Sequence, residues 1–170
     1  MNIERLQRLL HIMRELEVKD RVLTMGTWAE PIEDDDGGTI CGTSCCALGW
    51  AALDPELHAQ GLTLMLETVE TESGELPIAT PEELLAVMRK NPHGCYYPKF
   101  EDEGSAIESA VNFFGITREQ SEWLFNPSTY RFGGYVRFSS HLITPLMVIR
   151  RLEKLIAEPD YTPESTFGIG

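Results

Sequence analysis

The chain has 170 residues, 42% of them hydrophobic, and a formal net charge of −13. That is the length of one ordinary domain with a sizeable core, and no stretch approaches the roughly 18 apolar residues needed to span a bilayer. The negative total disfavours nucleic acid and anionic membrane as direct partners.

Asn2 is placed to cap a first helix in which Leu6, Leu9, Leu10, Met13 and Leu16 recur at helical spacing, with Arg5, Arg8, Arg14 and Glu15 outside,. Arg21 to Trp28 reads as a short strand. The run Glu33-Asp34-Asp35-Asp36-Gly37-Gly38 reads as an exposed loop that delivers the chain to Cys41,. It is not a calcium loop: counting back from Gly37 puts Ile32 where the first carboxylate belongs, and no acid follows at the twelfth position,.

Cys41 to Leu53 holds three of the four cysteines. Gly42 is expected to make a tight turn, and Thr43 or Ser44 to cap a short core helix that buries Ala47, Leu48, Trp50, Ala51 and Leu53. Asp54-Pro55-Glu56 then offers an N-cap, a proline at the first helical position and an acid beside the helix dipole, and Gly61 ends that turn,. Leu62 to Thr71 and Leu76-Pro77-Ile78 flank a turn at Glu72 to Glu75, which makes a small hairpin. Thr80-Pro81-Glu82-Glu83 is a capping box for a helix over Leu84, Leu85, Val87 and Met88 that must stop before Pro92.

Asn91 to Glu103 groups His93, Cys95, Tyr96, Tyr97 and Phe100 in what reads as an irregular aromatic loop over the core,. Ser105 caps a helix carrying Ile107, Ala110, Val111 and Phe114, closed by Gly115-Ile116 as a left-handed cap. Thr117-Arg118-Glu119-Gln120 is a capping box for a helix presenting Trp123, Leu124 and Phe125. Thr144-Pro145 opens the last helix, with Leu146, Val148, Ile149, Leu152, Leu155 and Ile156 on its buried side, and a loose tail is expected over 159–170. Helix, turn and helix between Ala110 and Phe125 invite a DNA-binding reading. Glu119 and Glu122 against one Arg118 on the would-be recognition helix oppose it, and a helical hairpin burying Phe113, Phe114, Trp123 and Phe125 accounts for the pattern,.

Cys41, Cys45, Cys46, His93 and Cys95 form the candidate ligand or thiol site. As metal ligands, with His58 as a further donor, they lack a standard zinc spacing, so no metal and no cofactor is expected. As a nucleophile, Cys41 or Cys45 would need His58, His93 or His141 as base, in a field of acids that opposes the thiolate. The third reading has reduced, structural thiols packing where helices cross.

The acids of that field are concentrated. From Val22 to Met88 there is no Lys or Arg, against 13 acids: Glu30, Glu33, Asp34, Asp35, Asp36, Asp54, Glu56, Glu67, Glu70, Glu72, Glu75, Glu82 and Glu83. The other 14 of the 27 acids equal the 14 basic residues, so the chain is an acidic segment on a neutral frame. Charge blocks serve solubility, and they also meet basic protein surfaces. The partner-binding candidates are Glu33, Asp34, Asp35, Asp36, Glu70 and Glu72.

Cys41-Gly42-Thr43 followed by Cys45 or Cys46, then Gly49 and Trp50, and later Phe113-Phe114-Gly115-Ile116-Thr117 with Leu124-Phe125-x-Pro127, resemble a family of small uncharacterised proteins encoded by tailed phages and prophages. These are a C-G-T-x-x-C segment and a downstream F-F-G-L-[ST] segment with an L-F-x-P ending, in that order, before a last helix. The resemblance covers about a third of the chain and implies an accessory protein acting on host machinery or defence; it brings no catalytic residues. Ser44-Cys45-Cys46 stands where the pattern has one cysteine, which speaks against a finely spaced metal site.

The expected architecture is a mainly helical α+β domain over residues 1–158, with about six helices and one small hairpin. The leading functional expectation is a non-enzymatic, cytoplasmic accessory protein of a bacterial host that binds a host protein with a basic surface. The alternative is a cysteine-dependent enzyme or small-ligand binder around Cys41 to Cys46 and residues 91–100, with a nucleotide held by that loop and Arg131, Arg137, Arg150 or Arg151 as its variant.

Overall fold

The spacing of leucines in the first helix, α1 (Ile3–Val18), buries Leu6, Leu9, Leu10, Met13 and Leu16 along one stripe, and Asn2 Oδ1 accepts the Arg5 N–H at 3.1 Å as its cap,. The computed structural model describes residues 1–18, 23–25, 29–33, 39–67, 75–78, 80–90, 95–101, 105–132, 136–137 and 142–163. Of the segment expected as a strand from Arg21 to Trp28, residues 23–25 are described. Leu23 makes a parallel bridge to Cys45, and the Thr24 N–H donates to Cys45 O at 3.1 Å.

β1 (Ala29–Glu33) and β2 (Thr39–Cys45) pair antiparallel, Ala29 opposite Cys45 and Glu33 opposite Thr39, with an irregularity between Pro31 and Glu33. Here the sequence expectation needs correction. Gly42, Thr43 and Ser44 do not turn and cap; they are strand residues paired through Ser44–Glu30 and Thr43–Pro31. The cap is Cys46, whose Sγ accepts the Gly49 N–H at 3.3 Å, and α2 (Ala47–Ala52) follows with every residue buried. A thiol is a weak acceptor, so the strand propensity of Thr39 to Thr43 outweighs the better caps upstream.

α3 (Pro55–His58) starts as its sequence requires, with Asp54 Oδ1 accepting the Glu56 and Leu57 N–H groups and Pro55 in the first turn. Gly61 ends it in left-handed geometry, φ +99°,. β3 (Leu62–Glu67) then forms the middle of a three-stranded antiparallel sheet, with β4 (Glu75–Ile78) on one side and β5 (Cys95–Phe100) on the other. α4 (Pro81–Lys90) begins with Thr80 Oγ1 accepting the Glu83 N–H at 3.1 Å.

β5 is the second correction: residues 95–100 are not an irregular loop but a strand in register with β3 from Leu62–Phe100 to Glu67–Cys95. Tyr96 and Pro98 are buried, with Tyr97 between them half-buried, the period of a strand,. Pro98 hides this pattern, yet it is admissible because β5 is an edge, as is β4 with Pro77,.

α5 (Ala106–Phe114) and α6 (Arg118–Phe125) form the expected helical hairpin. Ser105 Oγ accepts the Glu108 N–H at 3.2 Å, Gly115 sits at φ +61°, and Thr117 and Gln120 complete a reciprocal capping box,. A 3-10 turn, Pro127–Thr129, leads to the short pair β6 (Arg131–Phe132) and β7 (Val136–Arg137). The last helix, α7 (Pro145–Ala157), packs along α1 and buries Val148, Ile149, Leu152 and Leu155. Pro145 starts it unaided by a Thr144 side-chain bond,.

One core joins these elements into a mainly helical α+β fold, with Leu48, Phe113, Phe114, Phe125 and Leu152 at its centre and Trp50 6% exposed at its margin. Phe113 stands edge-on to Phe114 at 5.0 Å and to Phe100 at 5.1 Å,. Trp123, expected inside this cluster, is half-buried instead. Residues 159–163, expected at the head of a loose tail, are tied to α6: Gln120 Nε2 donates to Pro159 O and Tyr161 O, and Pro163 is buried.

Candidate functional site

The two thiols whose side chains are described belong to the core. Cys45 ends β2 fully buried, and Cys46 is 1% exposed with its sulfur committed to the first turn of α2. Burial pushes the Cys46 thiol up to about 12, against the smaller pull of the Gly49 and Leu48 amides,. A group in that state is neutral at physiological pH and out of reach of a substrate, so Cys46 supplies neither nucleophile nor ready metal ligand. Cys41 lies within β2, and Cys95 opens β5 opposite Glu67. His93 lies outside the described residues. Among the described residues, no three His, Cys, Asp or Glu side chains gather as metal ligands.

An open depression of about 560 Å³ lies beside the start of α1, lined by residues that include Asn2, Glu4, Arg5, Asn112 and Gly115. Among the described residues its lining contains no cysteine and no histidine. Arg5 spans its edge with Nε donating to Gln60 Oε1 at 2.8 Å, and its guanidinium lies 4.1 Å from the Phe113 ring centre,.

Arg151, one of the cations considered for a nucleotide, is engaged inside the protein. It donates to Thr129 Oγ1 at 2.7 Å, to Thr129 O at 2.8 Å and to Trp123 O, and lies 3.5 Å from the Tyr130 ring centre and 4.7 Å from that of Trp123. Burial lowers its pKa, while Tyr130 opposes the shift. Tyr130 is itself buried, donates its hydroxyl to Leu124 O at 2.8 Å, and is held neutral by burial. This cluster fixes the turn after α6 against α7, a role that the spacing of single arginines does not announce. With the aromatic segment folded into β5 and Arg151 occupied, the nucleotide reading loses two of its supports.

Of the partner-binding candidates, Glu33 closes β1 opposite Thr39. Asp34, Asp35 and Asp36, between those paired ends, lie outside the described residues, as do Glu70 and Glu72. The opposite root of the hairpin, Cys45, is in the core. The fold also brings a cation from α1 against the acidic segment. Arg8 reaches Asp54 Oδ2 at 2.7 Å and Glu56 Oε1 at 3.1 Å, and the hydrogen bonds to Asp54 raise its pKa against opposing burial. Among the described residues, Arg8 thus answers Asp54 and Glu56.

Among the described residues, no helix is long and apolar enough to cross a membrane. No protein-family model, no curated protein and no solved structure matches the chain.

Proposed function

We propose that this is a non-enzymatic binding module whose acidic segment docks on the basic surface of another protein. The observation that carries the reading is the acidic run Glu33 to Asp36 within a stretch, Val22 to Met88, that has no Lys or Arg; its first member, Glu33, pairs with Thr39 in a two-stranded hairpin that reaches the core at Cys45. A run of like charge steers encounter with a surface of the opposite sign. Arg8 reduces the local charge at Asp54 and Glu56. The phage and prophage resemblance gives the reading its context, an accessory protein acting on host machinery or defence, and the acidic segment suits a host surface that otherwise holds nucleic acid. The alternative of a thiol enzyme draws no support from Cys45 and Cys46, both of which are buried.

The test is capture from bacterial lysate on immobilised wild type beside the variant Asp34→Asn/Asp35→Asn/Asp36→Asn. A partner with a basic face should be retained by the wild type, elute as ionic strength rises from about 0.05 to about 0.5 M, and be largely lost by the variant. A partner held equally by both proteins, and indifferent to salt, contradicts the proposal.

A further inference from the structure

The segment after α7 is seated on the helices as a bound peptide would be. Glu158 to Tyr161 make a β-turn with proline second, in which the Tyr161 N–H donates to Glu158 O at 2.9 Å,. Gln120 grips the turn, its Nε2 donating to Pro159 O at 3.0 Å and to Tyr161 O at 2.8 Å. The orientation of that amide follows from its other end. Oε1 accepts the Thr117 N–H at 3.0 Å to complete the capping box of α6, so the nitrogen faces the two carbonyls,. With the turn in place Gln120 is 3% exposed and both bonds are partly buried, so an empty seat leaves its amide without these partners,.

The Tyr161 ring completes the contact, 5.2 Å from the Trp123 ring centre and 4.2 Å from Lys154 Nζ,. Pro163 is buried two residues on, while Pro159, Asp160 and Thr162 are exposed. What Gln120 and Trp123 read is present in any proline turn followed by an aromatic residue, two main-chain carbonyls and a ring, while Lys154 also pairs with the Glu158 carboxylate at 3.2 Å. The only covalent tie is Glu158, which has left helical geometry at φ −129°, ψ 76°.

We propose that Gln120, Trp123 and Lys154 form a recognition seat for a Pro-x-aromatic turn of a partner protein, and that residues 158–163 occupy it in cis as an internal competitor. The turn is pre-organised by its proline, which lowers the ordering cost for a partner segment of the same form.

The probe is a fluorescent hexapeptide of the chain's own sequence from Glu158 to Pro163, and the receptor is the full chain carrying Tyr161→Ala, which vacates the ring position. Binding should be clear on Tyr161→Ala and at least about tenfold weaker on the wild type, where the cis segment keeps the seat filled most of the time. It should vanish when Gln120→Ala is added, or when the peptide's tyrosine is alanine. No binding to a folded Tyr161→Ala chain, or equal binding to both proteins, overturns the proposal. A wild-type dimer held by exchange of residues 158–163 overturns it too, because the seat would then belong to a second copy. Should Tyr161→Ala not fold, hydrogen exchange on the wild type decides: the Tyr161 amide should open well before that of Leu152, and a Tyr161 amide that exchanges only through global unfolding makes the segment part of the core and ends the proposal.

Discussion

Asp54 ties the acidic segment to the frame, and two substitutions separate the two interactions its carboxylate makes. Oδ1 accepts the Glu56 and Leu57 N–H groups at 3.1 Å each, while the Arg8 guanidinium meets both oxygens, with Nε at 3.1 Å from each and Nη2 at 2.7 Å from Oδ2. Asparagine keeps an oxygen for the cap and loses the charge opposite Arg8; alanine loses both. A cap contributes about 1 kcal/mol and a hydrogen bond to a charged group about 1.5–3 kcal/mol. Arg8 is partly exposed and keeps Glu56 at 3.1 Å, so the lower end of the second range applies. Asp54→Asn should therefore cost about 1–2 kcal/mol and Asp54→Ala about 2–3 kcal/mol, read from urea midpoints at unchanged m value. Equal losses for the two variants would show that the cap contributes nothing, and losses below about 0.5 kcal/mol for both would refute the pairing as a structural tie.

Trp50→Ala should cost about 3–5 kcal/mol in the same assay, and a variant that melts with the wild type would remove Trp50 from the core,. Cys45 and Cys46 should resist Ellman's reagent in the native protein at pH 8 and react once it is unfolded; rapid native labelling of either contradicts their burial. Because the Cys46 pKa is higher folded than unfolded, its contribution is fully present below its ordinary value of 9.0 and is lost as pH rises from there toward about 12,. Cys46→Ser, which has no thiol to ionise, should flatten the first part of that decline, and an unchanged slope would count against it. Gly115→Ala should cost about 1–2 kcal/mol for the left-handed φ of +61°, with its Cβ also pressed to 3.3 Å from Met1; a neutral result would mean that the cap relaxes,.

Legibility of the fold followed the strength of local signals. α1, α5 and α6 were readable because each couples a buried stripe to a cap, Asn2, Ser105 or the reciprocal Thr117–Gln120 box, and α7 because its stripe follows a proline in the first turn. Segments that depend on distant pairing were not. β5 was concealed by Pro98 and becomes a strand only through β3, and Thr39 to Ser44 becomes one only through β1. The cap of α2 went to Cys46, a residue whose type gives no cap signal. At the candidate site, the stretch of acids without Lys or Arg from Val22 to Met88 was plain in the sequence, as was the weakness of the thiol spacing as a metal or catalytic signal. Arg8 beside Asp54, Arg151 between carbonyls and rings, and the grip of Gln120 on Pro159 and Tyr161 join residues 21 to 46 positions apart, beyond any local pattern.

The association rate of a captured partner, followed against salt for the wild type and for Asp34→Asn/Asp35→Asn/Asp36→Asn, tests the binding role of the acidic segment most directly. The wild type should associate fast at low salt and slow markedly as the Debye length falls from about 30 Å at 0.01 M to about 8 Å at 0.15 M, with dissociation changing less. The triple variant should start slower and respond less to salt at an unchanged melting temperature, since three polar substitutions remove no apolar burial. Identical on-rates for the two proteins, flat across salt, would contradict the claim and leave the acidic segment a solubility feature.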